Sequence, residues 1–138
     1  MGRIVALDVG TKTIGVAATD PLRILASPVQ TLRRAGVRRD IEALRPLLQK
    51  LQPDLIVVGL PYELDGSEER SARLARQIGE AIVETLELPV SYQDERFSSV
   101  QAERLLIEQG MKRARRKQVI DQAAAVIILE SWMREHSA

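Results

Sequence analysis

The sequence predicts one α/β domain built on a mixed five-stranded sheet with helices packed on its faces. Three observations carry that prediction. Two apolar runs, Ile4–Leu7 and Ile14–Ala18, flank a Gly/Thr/Lys turn in the manner of a buried hairpin. Leu55-Ile56-Val57-Val58-Gly59-Leu60 is apolar throughout, as a central parallel strand covered on both faces must be. Helical periodicity then precedes and follows that run, so helices alternate with the later strands.

Taken in order, strands are expected at 3–8, 13–19 and 24–32, joined by short turns into an antiparallel meander. A helix follows at about 38–51, with Ile41, Leu44, Leu47, Leu48 and Leu51 on one stripe; Pro46 inside it predicts a kink or a late start. After the strand at 55–60, Ser67 with Glu68 and Glu69 signals a helix start, and Leu74, Ile78 and Ile82 carry its stripe towards Leu88-Pro89. Val90 to Asp94 is the fifth strand. Ser98-Ser99-Val100-Gln101 is a capping box, and Gly110 would end the helix it opens. The last helix is expected from about Lys117 to Glu135. No repeat, low-complexity stretch or linker interrupts the chain, so residues 1–138 read as a single domain.

Composition narrows the chemistry. The 28% charged and 45% hydrophobic content is that of an ordinary soluble domain, and no apolar stretch approaches the roughly 20 residues that span a bilayer. No signal peptide is visible and there are no cysteines, which suits a reducing cytoplasm. His136 is the one histidine, so zinc sites and histidine-based triads have no material. Any metal here must be held by oxygen, which points to Mg2+ or Mn2+.

The net charge of +1 conceals clusters. Lys112-Arg113-Ala114-Arg115-Arg116-Lys117 lies just before the last helix, where the macrodipole disfavours cations, and a polyanionic partner would explain it. Arg33, Arg34, Arg38 and Arg39 form a second group that reads as a solvated face.

Three acids separate themselves from the surface ones. Asp8 ends the first strand, where it could cap the turn through the amides of Gly10 and Thr11 or bind a metal. Glu95 follows the fifth strand, though Asp94 could serve in its place because strand neighbours face opposite sides. Asp121 shares a stripe with Ala125, Ile128 and Trp132, and a carboxylate on such a stripe needs compensation. Each has a plainer reading: Glu95 as a surface residue, Asp121 as an early-helix acid favoured by the dipole. Sites in α/β sheets form outside the carboxyl ends of strands, and clustered carboxylates call for a divalent cation. If the first and fifth strands lie near each other and the last helix covers that edge, the three acids converge.

Four segments in register give a specific resemblance. Leu7-Asp8-Val9-Gly10-Thr11-Lys12-Thr13-Ile14-Gly15-Val16-Ala17, Val58-Gly59-Leu60-Pro61 with Asp65-Gly66, Asp94-Glu95-Arg96-Phe97-Ser98-Ser99, and Asp121 through Leu129 together resemble the YqgF/RuvX family, over essentially the whole chain. The resemblance implies a ribonuclease H-like fold and a divalent-metal nuclease, related to Holliday junction resolvases and maturing the 5′ end of pre-16S ribosomal RNA. Carried over by position, the family's acidic site falls on Asp8, Glu95 and Asp121 as catalytic and metal-ligating residues. The fourth acid of many ribonuclease H-like nucleases has no clear counterpart.

The mechanism implied is metal-assisted phosphodiester hydrolysis, with Lys12 and Arg96 steadying phosphates and Arg113, Arg115 and Arg116 binding the backbone. Lys12 and Arg96 could equally be solvated turn residues. Aromatics are only 3% of the chain, so base-stacking platforms are scarce and recognition should rest on backbone and shape. Two rivals are weighed. Asp8-Val9-Gly10-Thr11 also resembles a phosphate loop of actin-like ATPases, but those need a second such domain. A non-catalytic nucleic-acid-binding module is the other, and intact acids at all three positions argue against it. A junction resolvase needs two active sites on a two-fold axis, and no surplus apolar face announces a dimer. The expectation is therefore a monomer or weak dimer acting on RNA, with branched DNA as the alternative.

Overall fold

A computed structural model describes residues 2–60, 70–94 and 113–136; the side chains of Ser71 and of residues 113–122 fall outside that description. Side-chain alternation along β1 (Arg3–Val9) divides the molecule into layers. Val5, Leu7 and Val9 face one way, where they pack with Val16 of β2 (Thr13–Thr19), Ile56 and Val58 of β4 (Pro53–Leu60), and the apolar stripes of two helices. Those helices are α1 (Val37–Leu51), through Ile41, Leu44 and Leu48, and α2 (Arg70–Ala81), through Ala75 and Ile78. Ile4 and Ala6 face the other way, against Ala17, Val57 and the Ala125, Ile128 and Leu129 stripe of α3 (Arg113–Glu135). Each such large aliphatic side chain taken from water contributes about 1.5–3 kcal/mol.

With β3 (Ala26–Arg33) and β5 (Val90–Asp94), the sheet order is β3-β2-β1-β4-β5. The first three strands pair antiparallel as the expected meander, and β4 and β5 join β1 in parallel. Ala6 and Ala17 on the sheet meet Ala125 on α3, all fully buried, so small side chains let this helix lie close on the strands.

Several boundaries differ from expectation for local reasons. β3 starts at Ala26 because Asp20 Oδ1 accepts from the amides of Ile24 (2.7 Å) and Leu25 (2.9 Å), holding residues 20–25 in a turn with Arg23 left-handed at φ 59°. Pro46 does not delay α1, which runs from Val37 to Leu51 through it: Pro46 and Glu42, whose carbonyl loses its partner, both lie on the exposed side, where water can take the bond. β4 opens on Pro53, a position that needs no ladder donor. α2 passes at Ile82 into a wider π-helical turn, Ile82–Leu86, and ends at the left-handed Glu87. α3 is already helical at Arg113, so Arg113, Arg115, Arg116 and Lys117 lie inside its opening turns rather than ahead of it. The capping box at Ser98 and the stop at Gly110 lie outside the described residues.

Candidate active site

Asp8 is the penultimate residue of β1, followed by Val9, and it is half-buried. Alternation puts it with Ile4 and Ala6 on the face that α3 covers. Its antiparallel partner on β2 is Gly15, and Gly59 on β4 follows Val58, the partner of Leu7. Glycine on both flanks leaves space beside this carboxylate at the carboxyl end of the central strand.

The Gly10 amide donates to the Thr13 carbonyl at 2.8 Å, so the cap through Gly10 has its donor already engaged. Arg34 holds the turn too: its amide donates to the Lys12 carbonyl at 2.8 Å and its guanidinium donates to the Gly10 carbonyl at 3.1 Å. The same guanidinium pairs with Asp40 through Nε at 2.8 Å, and Asp40 also accepts from the Ala35 amide at 2.8 Å. Both side chains are withdrawn from water, at 9% and 2% exposure. Arg34 therefore does not belong to a solvated face. It ties the Asp8 turn to the first turn of α1, a role that a run of four arginines concealed and that only the lone acid Asp40 on the α1 stripe could have signalled.

On β5, Gly59 pairs with Gln93 and Leu60 with Asp94. Leu60 belongs to the core under α1 and α2, so Asp94 lies on the face opposite to Asp8, while Gln93 reaches Glu135 of α3 at 3.1 Å. That parity removes Asp94 as the partner of Asp8. Glu95, two residues beyond Gln93, and Arg96 lie outside the described residues. β1 and β5 are not neighbours: β4 lies between them, which sets their backbones about 10 Å apart.

Asp121 lies in α3 one turn before the buried Ala124 and Ala125. Further along, Trp132 and Met133 line a cavity with Ile4, at the amino end of β1. Asp121 is about 16 Å back along the helix from Trp132, and Asp8 about 13 Å along β1 from Ile4. Lys12 is exposed at the tip of the turn. Of the three acids, Asp8 alone has a described side chain, and among the described residues no three acidic or histidine groups gather as a metal site.

A family model described as "RuvX: Holliday junction resolvase" matches residues 2–135. The chain belongs to the RuvX family. Curated relatives carry the name pre-16S rRNA nuclease: one from Myxococcus xanthus is 41% identical over 134 residues, covering 97% of this chain and 89% of the relative. Another from Heliobacterium modesticaldum is 43% identical over 131 residues, covering 95% and 88%. Among solved structures, Thermus thermophilus RuvC in complex with a Holliday junction substrate superposes with a TM-score of 0.58 at 16% identity, over 99% of this chain and 97% of that one. Fowlpox virus resolvase in complex with junction DNA gives 0.59 at 14% identity, over 99% of each chain. At those identities the likeness is one of fold, and it is the ribonuclease H-like fold. As a RuvX member the chain is a nuclease, and no described helix is long and apolar enough to cross a membrane.

Proposed function

We propose that this RuvX chain is a single-domain nuclease that hydrolyses phosphodiesters with a divalent metal, and that its substrate is the 5′ end of pre-16S ribosomal RNA in the cytoplasm. The carrying observation is Asp8: a half-buried carboxylate at the end of the central strand, on the face under α3, between two glycines, with the Gly10 amide of its turn already engaged. Its partners in the proposal are Glu95 and Asp121. The matched lengths from Ile4 to Asp8 and from Trp132 back to Asp121 support Asp121, and the Gln93 face supports Glu95 over Asp94.

An all-oxygen donor set fits Mg2+ or Mn2+ and no thiol- or histidine-bound metal. Such an ion, when bound, lowers the pKa of a water and stabilises the leaving oxygen. The chain's own contribution is to hold Asp8 rigidly on a strand, keep the turn of Lys12 in place through Arg34, and offer Lys12 and Arg96 to phosphate oxygens. Arg113, Arg115 and Arg116, in the opening turns of α3, bind the backbone without reading bases.

Asp8→Asn tests this. Cleavage of a precursor-RNA substrate with Mg2+ or Mn2+ should be abolished, while melting in metal-free buffer holds or rises because like-charge repulsion is removed. Near-wild-type turnover would unseat Asp8; an unfolded mutant would return it to a structural role in the turn. The second reading, a junction resolvase, draws on the family description, and it requires a two-fold dimer making paired cuts.

A further inference from the structure

Four cations surround the buried Arg34–Asp40 pair. The Lys12 carbonyl accepts from the Arg34 amide, and Arg33 pairs with Thr13 in the β2–β3 ladder. Arg38 and Arg39 stand in the first turn of α1, beside Asp40. All four are exposed. Among the described residues none of them has a carboxylate within ion-pair distance: Asp40 is taken by Arg34, and Glu42, the next acid along, is taken by Arg45. Two of these arginines also sit where the helix dipole repels cations, so their placement lowers the stability of α1.

The patch adjoins Asp8. Leu32 packs into the core under α1, so Arg33 alternates to the face of Asp8; Thr31 pairs with Gly15, which pairs with Asp8. Two strand spacings and one residue pair put the Arg33 backbone about 12 Å from that of Asp8. From there the positive charge continues over the Lys12 turn to the amino end of α1. The cation arc is thus fixed to the same turn as the acid, through one buried guanidinium.

We propose that Arg33, Arg38 and Arg39 extend the Lys12 turn into a phosphate track that holds the nucleic-acid strand near the scissile bond. This track is distinct from the Arg113–Arg116 run. It rests on the reading of Asp8 as the cutting site for its position, but not for its binding. The partner is a nucleic-acid backbone, recognised by charge and without base preference.

The test is a binding titration of a labelled single-stranded RNA and of a four-way DNA junction in metal-free buffer, across a salt series. Arg33→Ala/Arg38→Ala/Arg39→Ala is compared with the wild-type chain and with Arg45→Ala as control. The triple variant should lose affinity for every sequence alike and flatten the log–log salt slope by about two to three, at about 0.7–0.9 for each phosphate no longer neutralised. Arg45→Ala should leave the slope alone, and melting should show the triple variant at least as stable as the wild type. An unchanged slope overturns the track whatever Asp8 does. Nuclease activity surviving Asp8→Asn overturns the site while leaving the binding result to stand. If polyglutamate, and not RNA, loses affinity for the triple variant, the surface belongs to an acidic protein partner and the track is overturned.

Discussion

Arg34 and Asp40 show how one buried ion pair can hold the turn that follows a neighbouring carboxylate. Arg34 reaches three acceptors: Asp40 Oδ2 and the Gly10 carbonyl through its guanidinium, and the Lys12 carbonyl through its amide. Removing one partner strands the other charge out of water, so Asp40→Ala should destabilise the fold by about 3–5 kcal/mol in urea titration. Asp40→Asn, which keeps an oxygen for the Ala35 amide, should cost less. A cost near zero for Asp40→Ala would mean that the pair does not hold the turn. Asp8 was legible in the sequence because an acid ending an apolar strand is conspicuous. Arg34 was not, because its burial comes from β3 and α1 meeting over the turn, a meeting that no spacing along the chain encodes.

Among the elements, the β2–β3 turn and the start of α3 depart most from their periodicity. In the turn, Asp20 is held below the ordinary carboxylate value of 3.8 by the Leu25 amide, partly opposed by desolvation, with the Ile24 amide adding to it. A lowered folded-state value means stability present above the ordinary value and lost as pH falls through it. The difference in melting temperature between wild type and Asp20→Asn should therefore shrink as pH drops from about 6 to about 3. A difference that stays constant would remove the charged acceptor from the turn's energetics. The apolar Ile24 and Leu25 invited an early strand; the side-chain oxygen of Asp20 competes for their amides and wins. In α3, the chain is already helical at Arg113, so the basic run lies on the helix and not ahead of it. Replacing Arg113, Arg115 and Arg116 by Gln should weaken RNA binding and flatten its salt slope by about two to three without lowering melting temperature. If melting falls and binding holds, these side chains have a structural duty instead.

For the molecule as a whole, the succession of elements and the layers were readable because continuous apolar runs and helical stripes mark the same core from both sides. What could not be read was the separation of β1 and β5 by β4, which follows from crossover geometry and decides how far apart the acids start. Oligomeric state belongs at this scale too. The large apolar side chains most exposed among the described residues are Leu22, Ile24 and Leu25, at 65%, 74% and 66% exposure, all in one loop. Three such residues are fewer than the roughly 20–30 a side that a stable interface engages. Sedimentation at micromolar concentration should show a monomer or weak dimer that cuts precursor RNA, and a tight dimer making symmetric cuts in a four-way junction with RNA untouched would transfer the chain to the resolvase reading.

α3 comes after every other described element in chain order, yet among the described elements it is the helix that covers Ile4, Ala6, Ala17 and Val57. During synthesis the hairpin and the parallel strands therefore emerge with one apolar face bare, and that face closes only when the segment bearing Asp121 arrives. If Asp121 completes the site as proposed, sealing and arming are a single event: a chain interrupted before α3 leaves that apolar face bare and lacks one of the three acids.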